Sequence, residues 1–223
     1  MEQTTSVPGI DWLRRTGIVA IVRGIPAETA LEVADALYTG GIRVLEVALN
    51  SSNASITMLQ QMRAAYGDKM WVGAGTVLDV ALAETALRSG AQFFVTPNVD
   101  ERVIAYGVQH HLPVFPGALT ATEVVKAFQA GATMVKIFPS RSVGPGYIKE
   151  LQGPLSHIPL MAVGGISVEN AAEYLRAGAQ AVGVGSELVD KTAIVAQDFA
   201  KISQTASKLV AVVQDALRTG DAV

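Results

Sequence analysis

Short apolar runs recur along the whole chain and alternate with longer segments in which apolar residues return every three or four positions. Short runs of β-branched and small apolar residues that end in glycine or polar turns are typical of buried parallel strands. The pattern predicts strands at 17–22, 44–49, 70–74, 93–96, 113–115, 134–140, 160–163 and 181–184.

The segments between these runs have the periodicity and the boundary residues of helices. A short leading helix is predicted at 10–15 and a long final helix at 195–217. The helices predicted between them lie at 27–38, from a cap at Ser52 or Asn53 through Met62, at 80–88, at 100–110, from a cap at Thr120 or Thr122 to 130, at 147–151, and from a cap at Ser167 to 175.

Eight strands that alternate with helices, without a linker or low-complexity segment, predict a (β/α)₈ TIM barrel in the α/β class. The barrel would form a single domain over 1–223, with a short N-terminal helix and a C-terminal helix added. An open, doubly wound sheet is the alternative, and the number of units favours the barrel. In a barrel of this kind the active site lies at the C-terminal ends of the strands.

Composition and charge exclude several classes of function. The 223 residues are 50% hydrophobic and 17% charged with a net charge of −3. The chain therefore lacks the surplus of basic residues that would indicate a nucleic-acid or membrane partner. There is no cysteine, which excludes cysteine metal sites, and the three histidines do not form a ligand-spaced pair, which argues against a catalytic zinc site. We expect no cofactor. Residues 1–8 lack the features of a signal peptide, and no apolar run is long enough to span a bilayer, which predicts a cytoplasmic protein.

One lysine lies in the middle of the apolar run at 134–140. Side chains alternate along a strand, so Lys136 shares one face with Met134 and Phe138 and is buried if both faces of the strand are covered. Burial lowers the pKa of an ammonium group, and a partly neutral lysine attacks carbonyl carbons. Lys136 is therefore a candidate Schiff-base lysine. The alternatives are a structural lysine paired with a carboxylate, or one that reaches solvent at the strand end.

A second lone charge, Glu46, lies in phase with Val44 and Ala48 in the run at 44–49. If Glu46 and Lys136 both point inward, they approach each other near the barrel axis. A purely structural ion pair there carries a large desolvation cost. We therefore favour a catalytic role, with Glu46 transferring protons beside an imine on Lys136.

Polar and glycine residues collect where the predicted strands end. Arg23 is a candidate ligand for a carboxylate or a phosphate, and Thr76 for a carboxylate, although each has a surface or capping role as its alternative. Glycine loops after the last two strands of a barrel commonly bind phosphate through backbone N–H groups, although tight turns also need glycine. The other candidates at these ends are Asn50, Pro97, Gly164, Gly165, Gly185 and Ser186.

These features occur within longer motifs. These motifs are the segments 18–23, 45–49, 72–78, 95–98, 115–117, 135–140 and 162–166. In this order, and over most of its length, the chain resembles the bacterial 2-keto-3-deoxy-6-phosphogluconate/phosphogalactonate aldolases, which are class I, imine-forming enzymes. The resemblance implies a metal-independent barrel, a homotrimeric assembly and a phosphorylated 2-keto-3-deoxy sugar acid as substrate.

The resemblance also implies roles for individual residues. Lys136 would form the Schiff base, Glu46 would be the general acid and base, and the two late glycine loops would hold the phosphate. Thr76, Pro97 and Phe138 would line the pyruvate end of the site.

Two positions bear on which C4 epimer is the substrate. The gluconate branch of the family typically has arginine where this chain has Asn50 and threonine where it has Val163. The chain is therefore more similar to the phosphogalactonate branch, and phosphogluconate or 4-hydroxy-2-oxoglutarate cleavage is the alternative. Three other classes remain open from the residues alone, namely a phosphosugar isomerase or epimerase, a metal-dependent aldolase or decarboxylase, and a phosphate-ligand sensor.

Overall fold

The structure is a computed structural model that describes residues 8–49 and 53–220, and its strands form one parallel sheet. Each strand is a short, wholly buried run, as expected for strands that are covered on both faces. The strands are β1 (Ile18–Val22), β2 (Val44–Ala48), β3 (Trp71–Gly75), β4 (Phe94–Val95), β5 (Val114–Phe115), β6 (Gly117–Ala118), β7 (Val135–Ile137), β8 (Leu160–Val163) and β9 (Ala181–Val184).

Helices follow the strands and cover the outside of the sheet. They are α1 (Pro8–Thr16), α2 (Ala30–Thr39), α3 (Asn53–Tyr66), α4 (Val80–Arg88), α5 (Glu101–Gln109), α6 (Ala121–Gln129), α7 (Gly144–Leu155), α8 (Ala171–Arg176), α9 (Lys191–Val195) and α10 (Phe199–Gly220). Short 3₁₀ turns at Ala27–Thr29 and Ser140–Ser142 precede α2 and α7. None of the helices in the described part of the chain is long and apolar enough to cross a membrane.

The fifth strand of the barrel is divided at Pro116, which has no backbone N–H group to donate to a neighbouring strand. Its first half, β5, pairs with β4, and its second half, β6, pairs with β7. The Pro116 carbonyl accepts a hydrogen bond of 2.9 Å from the Lys136 N–H, which closes the sheet into a barrel. The predicted (β/α)₈ barrel is confirmed, and the predicted strand at 113–115 extends further, to Ala118.

The alternation of side chains gives the protein two separate cores. Outward-facing residues such as Val135 and Ile137 pack with the helices, whereas Val44, Met134 and Met161 fill the barrel interior. Leu13 of α1 joins this inner core, so the predicted leading helix closes the N-terminal end of the barrel. The predicted strand phase, with Met134 and Lys136 on one face and Val135 on the other, is confirmed.

Three aromatic side chains pack together at this closed end. The ring centroids of Trp71 and Phe93 lie 4.4 Å apart, and those of Phe93 and Phe115 lie 5.5 Å apart. Gly73 leaves the space that the Phe93 ring fills, since a Cβ atom there would approach the ring within 2.5 Å. Side chains therefore fill the lower half of the barrel, the half at the N-terminal ends of the strands, completely.

Several of the predicted helices differ in their bounds from the structure. The predicted final helix at 195–217 begins later, at Phe199 of α10, and the short helix α9 before it was not predicted; Gln197 has a left-handed φ of 57° between the two helices. The helix predicted at 147–151 is longer and extends from Gly144 to Leu155 as α7. The predicted cap at Ser167 is wrong, because α8 begins at Ala171. The Ser167 hydroxyl instead accepts a hydrogen bond of 3.3 Å from the Glu169 N–H, which stabilises a turn before the helix.

The start of α6 provides a test of local stability. Thr120, one of the two predicted caps, forms a capping box in which its hydroxyl accepts from the Glu123 N–H and Glu123 accepts from the Thr120 N–H. We expect Thr120→Ala to lower the free energy of unfolding by about 1 kcal/mol in urea denaturation. Thr122→Ala, two residues into the same helix, is the matched control and should change it by less than about 0.5 kcal/mol. Equal losses in both variants would contradict the capping role.

Candidate active site

The two lone charges of the sequence meet inside the upper half of the barrel. Lys136 on β7 is 4% exposed and Glu46 on β2 is 1% exposed. Strands β2 and β7 lie opposite each other, because four steps around the barrel separate them in either direction, counting β5 and β6 as one strand. The side chains of Lys136 and Glu46 therefore approach the barrel axis from opposite walls.

Gly75 makes room for the Glu46 carboxyl group. A Cβ atom at Gly75 would lie 1.6 Å from Glu46 Oε1, so any larger residue there would displace the carboxyl group. Gly75 is the last residue of β3, and its neighbour Ala48 is its register partner on β2. The absence of a side chain at the end of β3 thus determines where Glu46 lies.

Burial moves both pKa values towards neutrality. It raises the pKa of Glu46, and the positive charges of Lys136 and Arg23 oppose that effect. It lowers the pKa of Lys136, an effect that the carboxylate of Glu46 opposes and the charge of Arg23 reinforces. Within the described residues the two groups form no ion pair at or below 4.0 Å. Both are therefore available for proton transfer and nucleophilic attack.

Phe138 forms one side of the space around the amine. Lys136 Nζ lies 4.7 Å from the centroid of the Phe138 ring, within the range of a cation–π contact. Phe138 is 36% exposed at the mouth of the barrel. The ring thus separates the amine from solvent on that side.

Arg23 and Thr76 are joined at the ends of β1 and β3. The Arg23 guanidinium donates a hydrogen bond of 3.0 Å to the Thr76 hydroxyl. Thr76 has a φ of 61°, which is an unusual and strained conformation for a β-branched residue. Such strain persists where the surrounding structure holds it, and it is concentrated at functional sites.

A cleft of about 300 Å³ opens above Lys136 and contains most of the predicted site residues. The predicted residues that line it are Arg23, Lys136, Phe138, Val163, Gly164, Gly165, Gly185 and Ser186. Thr76 lines an adjoining cleft of about 520 Å³, which shares Arg23 with the first.

Not all of the predicted site residues are found to line these clefts. Glu46 is buried and lines neither of them. Pro97 lines neither cleft, and its carbonyl lies at the end of β4, where a Cβ atom at Gly117 would approach it within 2.5 Å. Asn50 lies outside the described residues.

The loop after β8 presents backbone to the cleft. Gly164 and Gly165 have φ values of 97° and 78°, which side-chain-bearing residues rarely adopt. The Asn170 side chain holds this loop by donating a hydrogen bond of 2.9 Å to the Gly165 carbonyl, while its oxygen accepts one of 2.9 Å from the Ser167 N–H.

Sequence reasoning missed several residues of this site. Ser140 is fully buried, accepts from the Val163 N–H at 3.1 Å and donates to the Ile137 carbonyl at 2.8 Å, which joins the ends of β7 and β8. Ser140 ends the apolar run and is followed by Arg141 and Ser142, so its local sequence gave no signal of this role. Glu187 and Lys191 also line the cleft, and nothing in their local sequence indicated that they would.

The arrangement supports imine chemistry better than metal chemistry. A buried amine, an opposing carboxyl group and an open cleft are the parts required for attack on a ketone and for proton transfer. Among residues 8–49 and 53–220, no three histidine, cysteine, aspartate or glutamate side chains come together as a metal site would require.

Comparison with known proteins agrees with this geometry. Residues 10–205 match the family described as "KDPG and KHG aldolase". A protein of Escherichia coli K12 named 2-dehydro-3-deoxy-6-phosphogalactonate aldolase is 40% identical over 199 residues, which cover 86% of this chain and 97% of that protein.

Two solved structures have the same fold. One, described as a native KDPGal structure, is 36% identical with a TM-score of 0.84 and covers 98% of this chain and 100% of its own. The other, KDPG aldolase from Legionella pneumophila with pyruvate captured as a covalent carbinolamine, is 26% identical with a TM-score of 0.79 and covers 94% and 98%. The chain therefore belongs to the KDPG and KHG aldolase family, and it is an aldolase.

Proposed function

We propose that this aldolase cleaves 2-dehydro-3-deoxy-6-phosphogalactonate to pyruvate and glyceraldehyde 3-phosphate through an imine on Lys136. The observation that carries the proposal is the buried Lys136 amine facing the Glu46 carboxyl group across the barrel. The covalent carbinolamine of the Legionella relative supports the same chemistry here, since the two chains have the same fold.

The reaction begins when neutral Lys136 attacks the C2 ketone of the substrate. Glu46 assists the departure of water from the resulting carbinolamine, which leaves a protonated imine. Glu46, directly or through a water molecule, then takes the proton of the C4 hydroxyl group. The C3–C4 bond breaks, its electrons pass into the imine to form an enamine, and the aldehyde leaves. Protonation of the enamine at C3 and hydrolysis release pyruvate and restore the free amine.

The two ends of the substrate would occupy different parts of the site. We place the pyruvate portion beside Thr76, Pro97 and Phe138, and Arg23, which lines both clefts, within reach of either the carboxylate or the phosphate. The phosphate would bind the backbone N–H groups of the Gly164-Gly165 and Gly185-Ser186 loops, which border the same cleft.

The galactonate series is the preferred substrate in this proposal. The 40% identical relative carries that name, and Val163, which lines the cleft, presents no hydroxyl group where the gluconate branch has threonine. The gluconate epimer and 4-hydroxy-2-oxoglutarate are the alternatives. Comparing kcat/KM for the two C4 epimers decides between the series, and a preference for the gluconate epimer would overturn the assignment.

We also propose a cytoplasmic homotrimer. This part of the proposal rests on the resemblance to the aldolase family and on the absence of a membrane-spanning helix in the described residues. Sedimentation equilibrium, with a chain mass of 23.3 kDa, measures the number of subunits directly.

Reductive trapping tests the imine. The protein is incubated with pyruvate and borohydride, digested and analysed by mass spectrometry. A single stable adduct on Lys136 is the expected result, because borohydride reduces the imine to a secondary amine that does not hydrolyse. Folded protein without any adduct would overturn the proposed mechanism.

The pH dependence of trapping tests the electrostatics of the site. Imine formation requires the neutral amine, so its rate falls as the pH drops through the pKa of Lys136. Because the charge of Arg23 lowers that pKa, Arg23→Gln should raise it and move the acidic limb of the trapping rate to higher pH, measured at saturating pyruvate. Arg15→Gln, on the distant helix α1, is the control and should leave the limb unchanged. An unchanged or downward shift in Arg23→Gln would contradict this account.

A further inference from the structure

A lysine outside the reaction mechanism lines the same cleft. Lys191 is the first residue of α9, immediately after the loop that carries Gly185 and Ser186. Its ammonium group lies against the backbone of Gly24, because a Cβ atom there would be 3.1 Å from Lys191 Nζ. Lys191 therefore reaches from the region after β9 to the segment that follows the neighbouring strand β1.

Two cationic residues, Lys191 and Arg23, line the same cleft. Lys191 Nζ lies over Gly24, and Arg23 is the adjacent residue. Both line the cleft, and the side chain of Arg23 has a hydroxyl group, that of Thr76, as its hydrogen-bond partner. Two cationic residues that line one cleft favour a negatively charged ligand within it.

The nearby carboxylates leave Lys191 available. Asp190, its neighbour in the chain, accepts a hydrogen bond of 2.7 Å from Lys201 and also caps α9. Glu187 lines the cleft too, yet within the described residues it forms no ion pair with Lys191 at or below 4.0 Å. Among the residues that the structure describes, Lys191 thus forms no ion pair at or below 4.0 Å, and it lines the same cleft as the two glycine loops.

We infer that Lys191 binds the phosphate group of the substrate and thereby determines the preference of this enzyme for phosphorylated over unphosphorylated sugar acids. The inference rests on the proposed function for the identity of the substrate. The ammonium group would bind the phosphate as a point charge, while the backbone N–H groups of the glycine loops supply directed hydrogen bonds. Lys191 is a specificity residue here, and it takes no part in breaking the C3–C4 bond.

The test compares selectivity in variants of Lys191. Kinetics are measured with 2-dehydro-3-deoxy-6-phosphogalactonate and with its unphosphorylated analogue for the wild type, Lys191→Met, Lys191→Arg and Lys208→Met. The last variant is the control, since Lys208 is exposed on α10. A hydrogen bond to a charged group supports an expected loss of roughly 10- to 100-fold in the phosphorylated-to-unphosphorylated ratio of kcat/KM for Lys191→Met.

The manner of the loss separates the outcomes. We expect it as a higher KM for the phosphorylated substrate, with Lys191→Arg retaining most of the selectivity because the charge is kept. An unchanged ratio in Lys191→Met, or equal losses on both substrates, would overturn the inference. Equal losses would place Lys191 at the carboxylate end instead.

A second measurement keeps this inference independent of the proposed substrate. Calorimetric titration with inorganic phosphate is carried out on the wild type and on Lys191→Met, with melting temperatures confirming that both are folded. Weaker phosphate binding in the variant supports the role of Lys191 even if neither C4 epimer is cleaved, in which case only the proposed function fails. Equal binding by both proteins contradicts the role of Lys191 whatever the substrate.

Discussion

Lys136→Met is expected to abolish aldol cleavage while the protein stays folded. Without the amine no imine forms, and the electrons of the C3–C4 bond have no sink, so kcat/KM should fall by about 10⁴-fold or more, as is usual when a covalent nucleophile is removed. Methionine has a similar length and flexibility, and it fits the apolar surroundings of β7. Activity is measured by coupling pyruvate formation to lactate dehydrogenase.

The stability of this variant provides an independent check. Removing the charge of Lys136 leaves Glu46 buried with one fewer cation, which raises its already raised pKa further. A carboxyl group whose pKa is raised on folding stabilises the protein least at high pH, where the buried group must ionise. The melting temperature of Lys136→Met should therefore fall more steeply than that of the wild type between about pH 5 and about pH 8.

Lys149→Met is the matched control for both measurements, because Lys149 is an exposed lysine on α7. It should retain the activity and the pH profile of the wild type. Substantial turnover by Lys136→Met, with a wild-type control, would rule out the imine mechanism.

Glu46→Gln is expected to slow turnover by about 10²- to 10⁴-fold, the range that general acid–base catalysis commonly contributes. Glutamine has the same shape and fills the space beside Gly75, so the variant removes the proton-transfer group without opening a cavity. Pyruvate should still be trapped by borohydride on Lys136. The acidic limb of trapping should move to lower pH, because the carboxylate that raises the pKa of Lys136 is gone.

Two further variants test this result, one as a control and one that should reproduce the loss. Glu150→Gln, on the exposed face of α7, should behave as the wild type. Gly75→Ala should reproduce the loss of turnover, since its Cβ atom would occupy the place of the Glu46 carboxyl group. A wild-type rate in Glu46→Gln would remove Glu46 from the mechanism.

The alternation of side chains explains why the burial of Lys136 and Glu46 inside the barrel was predictable from sequence. A charged residue in the middle of a short apolar strand has two possible orientations, and its apolar neighbours at positions two residues away identify the buried one. Met134 and Phe138 did this for Lys136, and Val44 did it for Glu46. The C-terminal ends of the strands then indicated where Arg23 and the glycine loops would gather, and these residues line the cleft together with Phe138, which only the resemblance had placed in the site.

Other features depend on contacts between segments that are distant in the chain. The approach of Lys191 to Gly24 joins segments that are distant in the chain, and no helix was predicted to begin at Lys191. Ser167 was predicted to cap a helix. Its N–H group instead donates a hydrogen bond to the Asn170 side chain, and the helix begins at Ala171. The role of Gly75 became visible only from the position of Glu46, whose carboxyl group lies where a Cβ atom of residue 75 would be.

The solid packing below Lys136 has a consequence for the order of events in catalysis. Trp71, Phe93 and Phe115, together with Leu13 of α1, close the lower end of the barrel, so molecules enter and leave at the opposite end. In the proposed mechanism pyruvate stays attached to Lys136, so it is the deeper of the two products and the aldehyde lies between it and solvent. The aldehyde therefore departs first, and in the synthetic direction pyruvate must bind first. Steady-state product inhibition should accordingly show an ordered mechanism in which pyruvate competes with the cleaved sugar acid and the aldehyde does not.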